Sequence, residues 1–445
     1  MKGQLSADDL LRKLPPQVEA GEVYEVHSLE TPVQFAAGTL ESIKSVETAG
    51  RALRVIQQGR LGFATTSDLA DDTLLLQSAL GAAEFGGPAP FSFPDQQPPA
   101  AVQCFDAAVE QLSESEMIAL GKEAIATIQA AYPNVQVFCD IHKVITDIRI
   151  RNTSGLAVES RRTHLSVEVA AQRTQEGDIL FLGDEISSRQ RKDVDIGPLT
   201  AYIVERLGQV ERPARATPGA MPIVFHRNAL AALFLPLMFG LNGRYVLQGA
   251  SPLGDKLGQP ACAPGFELID DPRLDFAPSA APYDDEGVPT CRKALIQGGV
   301  VQQFLYDLRT AGQAGTQSTG NGFKGGLFGG GWSTSPDIVP GTWIVPPGEK
   351  SLEQILTAFD EVLLVEDILG LGQGNTMAGE FSNNVALGFL VRRGEIVGRV
   401  KNTMIAGNVY ALLRDNLIAV ADQPQQVYGW LQIPAIALDG VSVAC

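Results

Sequence analysis

At 445 residues the chain is too long for one ordinary hydrophobic core, and two or three domains of about 100–200 residues each are expected. Hydrophobic residues make up 45% and charged residues 19%, which excludes intrinsic disorder, and no apolar run reaches the roughly 18 residues of a membrane span. A formal charge of −17, from 34 basic and 51 acidic residues, excludes a nucleic-acid backbone as the natural partner.

The opening MKGQLSADDLLRKLPP is polar and lacks the apolar core of a signal peptide, so a cytoplasmic location is expected. Five cysteines, Cys104, Cys139, Cys262, Cys291 and Cys445, form no CxxC pair and are odd in number. That usage fits free thiols in a reducing compartment.

In chain order, Ser6 with Asp8 and Asp9 precedes Leu10 and Leu11 and predicts a first helix. Residues 22–27 alternate as a strand. Residues 52–57 and 61–64 are apolar runs around Gln58-Gly59, a hairpin signal. Ser67 and Asp68 are read as capping a helix that runs through Ala83. The stretch GGPAPFSFPDQQPPA, residues 86–100, is too rich in Pro and Gly for helix or central strand and reads as a surface connection.

Ser113-x-x-Glu116 is a capping box, followed by Met117, Leu120, Ala124, Ile125 and Ile128 at helical spacing. Strands are expected over 135–139, 144–151 and 165–171, with a turn at Asn152–Gly155, and a helix over 199–207. The Pro/Ala-rich residues 211–222 mark a boundary, giving domains 1–212 and 213–445.

Beyond it the glycines multiply and the strands shorten. Two helices stand out, one over 229–239 and one after the Ser351-x-x-Gln354 capping box. A hairpin is expected over 385–391 and 396–400. The class is α+β: a mixed N-terminal domain followed by a larger β-rich C-terminal domain.

Four histidines, His27, His142, His164 and His226, lie too far apart to form an HExxH or HExxxH motif. A helical zinc site needs two imidazoles on one face, so no metal and no cofactor is expected. The segment APYDDEGVPT, residues 281–290, gathers Asp284, Asp285 and Glu286. Those carboxylates suit acid–base work or cation binding, and equally suit a surface turn with solvated charges.

The segment QSTGNGFKGGLFGGG, residues 317–331, has the glycines of a ligand-cradling loop without P-loop order, and equally suits a flexible or interface loop. Cys291 with His226 would suit nucleophilic catalysis if the two met; a buried inert thiol is the ordinary alternative. No GxSxG elbow is present.

Taken together these segments resemble the TldD/PmbA family, peptidase U62, once described as modulators of DNA gyrase. Gly50-Arg-Ala-Leu-Arg-Val with Gly59-Arg-Leu-Gly-Phe-Ala is similar to its opening hairpin, and Asn152-Thr-Ser-Gly155 to its N-S-x-G turn. The resemblance continues in order through residues 223–226 (IVFH), 255–258 (DKLG), 270–272 (DDP), 284–289 (DDEGVP), 318–321 (STGN), 379–382 (GEFS) and 405–408 (IAGN).

TldD-type members carry HExxxH on the helix after the boundary strand and bind zinc there; PmbA/TldE-type members lack it. Here the equivalent stretch reads FHRNALAALFL from Phe225. The resemblance therefore implies a metal-free subunit that pairs with a TldD-type chain, or with itself, to degrade or trim unfolded peptides. It implies no catalytic residue of its own. Asp285, Glu286, Gly287, Ser318, Thr319, Gly320 and Asn321 are the expected substrate- or partner-facing residues. The alternatives are an autonomous hydrolase using Asp284, Asp285, Glu286 or Cys291, and a non-enzymatic homodimeric binding module.

Overall fold

The computed structural model describes residues 7–175, 178–326 and 331–445. The N-terminal half is one antiparallel sheet. Its strands are β1 (Val18–Ala36), β2 (Thr39–Ile43), β3 (Val46–Gln57), β4 (Arg60–Thr66), β5 (Gln136–Asn152), β6 (Ala157–Gln175) and β7 (Asp178–Ser188). They lie in the order β4-β3-β1-β5-β6-β7, with β2 paired to β1. The expected hairpin at Gln58-Gly59 forms, both residues holding positive φ (52° and 67°) as its twist demands. The runs 135–139 and 144–151 prove to be one continuous strand, β5.

Helices α1 (Ala7–Arg12) and α2 (Thr73–Phe85) pack against β1 and β3, while α3 (Ala107–Gln111), α4 (Glu114–Ala131) and α5 (Ile196–Gln209) lie farther along the chain. Helix α2 starts five residues later than Ser67-Asp68 suggested. Its N-cap, Asp72, is buried and makes no capping bond, because its carboxylate is taken by Arg51 of β3. The Ser113–Glu116 capping box of α4 forms with both reciprocal bonds. Residues 86–100 hold no helix or regular strand, as their prolines require.

The C-terminal half is built on a 12-stranded mixed sheet. Its strands are β8 (Pro213–Ala214), β9 (Gly219–Phe225), β10 (Leu268–Asp270), β11 (Lys293–Gln297), β12 (Val300–Val301), β15 (Trp343–Ile344), β16 (Val362–Leu369), β17 (Glu380–Arg392), β18 (Glu395–Val400), β19 (Met404–Asn408), β20 (Leu417–Val427) and β21 (Leu431–Ala444). A separate pair, β13 (Gly322–Phe323) and β14 (Asp337–Ile338), closes the glycine-rich region.

Besides the two expected helices, α6 (Ala231–Gly240) and α9 (Leu352–Thr357), three short ones occur: α7 (Gly243–Leu247), α8 (Leu308–Ala314) and α10 (Val409–Asp415). At five to seven residues they carry no readable periodicity, and only their caps Asn242, Asp307 and Asn408 announce them. The chain is thus α+β with a β-rich second part.

Sheet membership changes at Pro213, but the hydrophobic core does not divide there. Met117 and Ile128 of α4, with Leu199 and Ile203 of α5, share one cluster with Val167 and Val169 of β6. The same cluster includes Val224, Leu364, Phe389 and Ala437 of the second sheet. Two helices thus fill the space between two sheets. Apolar burial on that scale welds the halves together.

Candidate functional site

The acidic turn is buried. Asp284 is 1% exposed, Asp285 6% and Glu286 1%, so the expectation of solvated charges does not hold. Each carboxylate has work in the fold. Asp284 accepts from the backbone N–H groups of Glu286, Val288 and Gly322, at 3.0, 2.9 and 2.9 Å. Burial and the neighbouring Glu286 nonetheless push its carboxyl well above the usual range. Asp285 Oδ2 accepts from the Lys324 amide at 2.9 Å.

Glu286 takes Arg54 on one oxygen (2.5 Å) and the Leu308 amide, at the start of α8, on the other (2.7 Å). Arg54 Nε also donates to Glu22 at 2.9 Å. One guanidinium of the first sheet therefore holds a carboxylate of its own sheet and one of the second half. Burial outweighs the attraction of Arg54 and raises Glu22 to about 7. It lowers the nearby Lys324 to about 8. The Lys324 ammonium donates to the Thr334 carbonyl and lies 4.9 Å from the ring centres of Tyr24 and Phe63.

Two glycines of these motifs are sterically required. Gly287 has φ +78° and a Cβ there would meet Leu156. A Cβ on Gly322 would stand 2.3 Å from Glu286 Oε2.

The second expected group is pinned as well. Thr319 Oγ1 donates to Asn321 Oδ1 (2.8 Å) and accepts from the Tyr306 amide (2.8 Å), and Ser318 Oγ accepts from the Gly320 amide. Gly320 has φ +70°, and its amide closes this small turn. Asn321 is fully buried. Its side chain contacts Lys293 at 2.8 Å and Asp270 at 3.0 Å, and Lys293 also pairs with Asp270 at 2.9 Å. The motifs at 270–272 and 318–321 are thus two sides of one buried polar network. Residues 327–330 of the glycine-rich segment lie outside the described residues.

Cys291 is exposed, against the expectation of a buried thiol, and sits beside the Thr319 carbonyl. His226 lies elsewhere, 2.9 Å from Glu366 through Nδ1. No contact between them occurs among the described residues.

Glu366, on β16, went unnoticed in the sequence because it stands inside an apolar strand, VLLVEDIL. It is fully buried and gathers Tyr202 Oη (3.0 Å), Arg206 Nε and Nη2 (2.7 Å each) and His226. Burial alone would raise its carboxyl, but the bonds from His226 and Arg206 hold it far below the usual range. This centre joins α5 to the second sheet. Two adjacent charges, Glu366 and Asp367, in an otherwise apolar strand were the available signal, since a buried charge requires a partner.

A zinc site does not fit these residues. Helix α6, which follows β9, reads AALFLPLMFG and carries no histidine, cysteine or carboxylate. His226, ahead of it, is engaged by Glu366. Among the described residues no cluster of three or more His, Cys, Asp or Glu has a geometry that could hold a metal. Nor is any described helix long and apolar enough to cross a membrane.

A sheet-bearing α+β protein with this order of motifs is a class defined by sequence comparison as well. Residues 218–445 match the PmbA/TldA metallopeptidase C-terminal domain, and residues 21–84 match PmbA/TldA metallopeptidase domain 1. The chain belongs to the PmbA/TldD family. It is 26% identical to the metalloprotease PmbA of Escherichia coli O157:H7 over 408 residues, covering 86% of this chain and 83% of that protein. It is 24% identical to the metalloprotease PmbA homolog of Haemophilus influenzae, covering 96% and 93%. The crystal structure of TldE from Thermococcus kodakarensis superposes with a TM-score of 0.89 at 22% identity, over 98% of this chain and 99% of that one.

Proposed function

We propose that this chain is the metal-free, PmbA/TldE-type subunit of a two-chain TldD/TldE-type metalloprotease acting on unfolded peptides in the cytoplasm. It completes the chamber that holds the peptide, and a TldD-type partner supplies zinc and catalysis. The observation that carries this reading is α6. On that helix and in the turn before it, where the resemblance puts the zinc motif of catalytic relatives, the one imidazole is His226, which Glu366 engages, and α6 itself carries no ligand. Full-length similarity to PmbA-named relatives supports the same branch. The autonomous hydrolase has less support: Asp284, Asp285 and Glu286 are buried and bonded within the fold, and the exposed Cys291 has no contact with His226 among the described residues.

The test is zinc content and peptide cleavage by the purified chain, alone and mixed with a TldD-type chain of the same source. No bound zinc and no cleavage alone, with cleavage in the mixture, is expected. Chelator-sensitive cleavage by the isolated chain would overturn the proposal. A stable homodimer that never exchanges with the TldD-type chain would replace it with a self-assembling binding module.

A further inference from the structure

Strand β7 is an edge of the first sheet. On it Ser187 turns its backbone away from β6: its amide donates to Gln426 Oε1 (3.0 Å), and its carbonyl accepts from Gln426 Nε2 (2.9 Å). One carboxamide of β20 thus makes both bonds that a neighbouring strand would make. Outward-facing residues alternate along a strand, so Glu185, Gly183, Phe181 and Ile179 also face out. The Glu185 amide is taken by the Asp184 carboxylate. The backbone groups of Gly183, Phe181 and Ile179 have no partner on that side among the described residues.

Phe181 and Ile179 are 55% and 66% exposed. No proline or lysine blunts this edge, as protected edges usually require. Beside it lies a cavity of about 380 Å³, bounded by Gly183 and Glu185 on one side and by Asn228, Asp367 and Tyr428 on the other. Glu168, paired with Glu185 across the sheet, also lines it. Asp184 is neutralised by Arg227, but Glu168, Glu185 and Asp367 have no ion-pair partner among the described residues.

We propose that the free edge of β7 docks an extended peptide bearing a lysine or arginine, which adds to the sheet as a further strand and places its cation among Glu168, Glu185 and Asp367. Backbone pairing gives sequence-tolerant affinity, and the pocket beside the edge gives preference for a basic side chain. This deepens the subunit reading above, on which it rests, by naming a class of peptide and where it is held. Burial, with little nearby positive charge, raises all three carboxyls, Asp367 to about 6. A bound cation relieves that cost.

The test is fluorescence anisotropy of the purified full chain with a short, unstructured Thr/Val peptide carrying a central lysine. The comparison peptides carry glutamate at the centre, or N-methyl groups on alternate backbone amides. Lysine-to-glutamate exchange and N-methylation should each weaken binding at least about tenfold. The double substitution Asp367→Asn with Glu185→Gln should erase the preference for lysine and leave binding of an uncharged peptide intact. Absent binding of the lysine peptide, or equal binding of the N-methylated or the glutamate peptide, overturns the proposal. Lost binding with intact cleavage by the mixed chains defeats this inference alone. Retained binding without partner-dependent cleavage defeats only the subunit reading.

Discussion

Two acidic clusters in this protein have opposite characters. Asp284, Asp285 and Glu286 are adjacent in sequence, buried, and bonded to backbone amides and to Arg54. Glu168, Glu185 and Asp367 come from three strands, line an open cavity and have no ion-pair partner among the described residues. The first group is conspicuous in the sequence and holds the fold together; the second is scattered and stands available. Whether a charge is free for a ligand depends on its partners, which adjacency along the chain does not report.

The comparison breaks first at Arg54. Arg54→Met should leave Glu22 and Glu286 buried without the guanidinium bonded to both and cost about 3–5 kcal/mol, read from the urea midpoint at pH 7. A loss under about 1 kcal/mol would mean that the junction is not an ionic clamp.

His164 sharpens the second side, because it lies four residues before Glu168 on the same face of β6 and is half-buried where Glu168 is exposed. Burial, with Arg189 and His142 nearby, lowers it to about 4. The unfolded chain takes up that proton near pH 6.5, and the fold resists it until about 4. Its contribution is complete above 6.5 and falls by about 3 kcal/mol as the pH drops to 4. In His164→Gln the denaturation midpoint should vary less over that window; an unchanged slope would clear His164 of the effect.

Glu366→Gln keeps the shape of the second ionic centre and removes its charge from Arg206 and His226, at a cost of about 2 kcal/mol. Ser113→Ala removes the cap of α4, a local feature remote from both clusters, and should cost about 1 kcal/mol. Smallest in loss is Asp367→Asn, expected to leave thermal stability unchanged or raise it, since it breaks no ion pair and removes a desolvated charge. A loss comparable to Arg54→Met would erase the distinction between the clusters.

Local signals in the sequence were reliable where the physics is local. The Ser113 and Ser351 capping boxes and the Gln58-Gly59 hairpin each rest on a few consecutive residues, and each forms as read. The start of α2 was read too early because Asp68 closes a local turn by accepting from the Ala70 amide, and the N-cap position falls to Asp72. The motifs at 270–272, 284–289 and 318–321 were legible as segments, but their placement together in buried polar networks was not. The roles of Glu366 and of the β7 edge were not legible, because charges inside an apolar strand do not name their distant partners and an unpaired backbone leaves no mark in the sequence.

The sequence by itself determined the α+β class, the family, and the absence of paired imidazoles, because composition, order and spacing are properties of one chain read in one direction. Only the tertiary structure decided which charges are spent and which are free. Arg54 meets Glu286 across 232 positions, and Gln426 meets Ser187 across 239. Desolvation and pairing at such separations arise only when two sheets close on the helices between them.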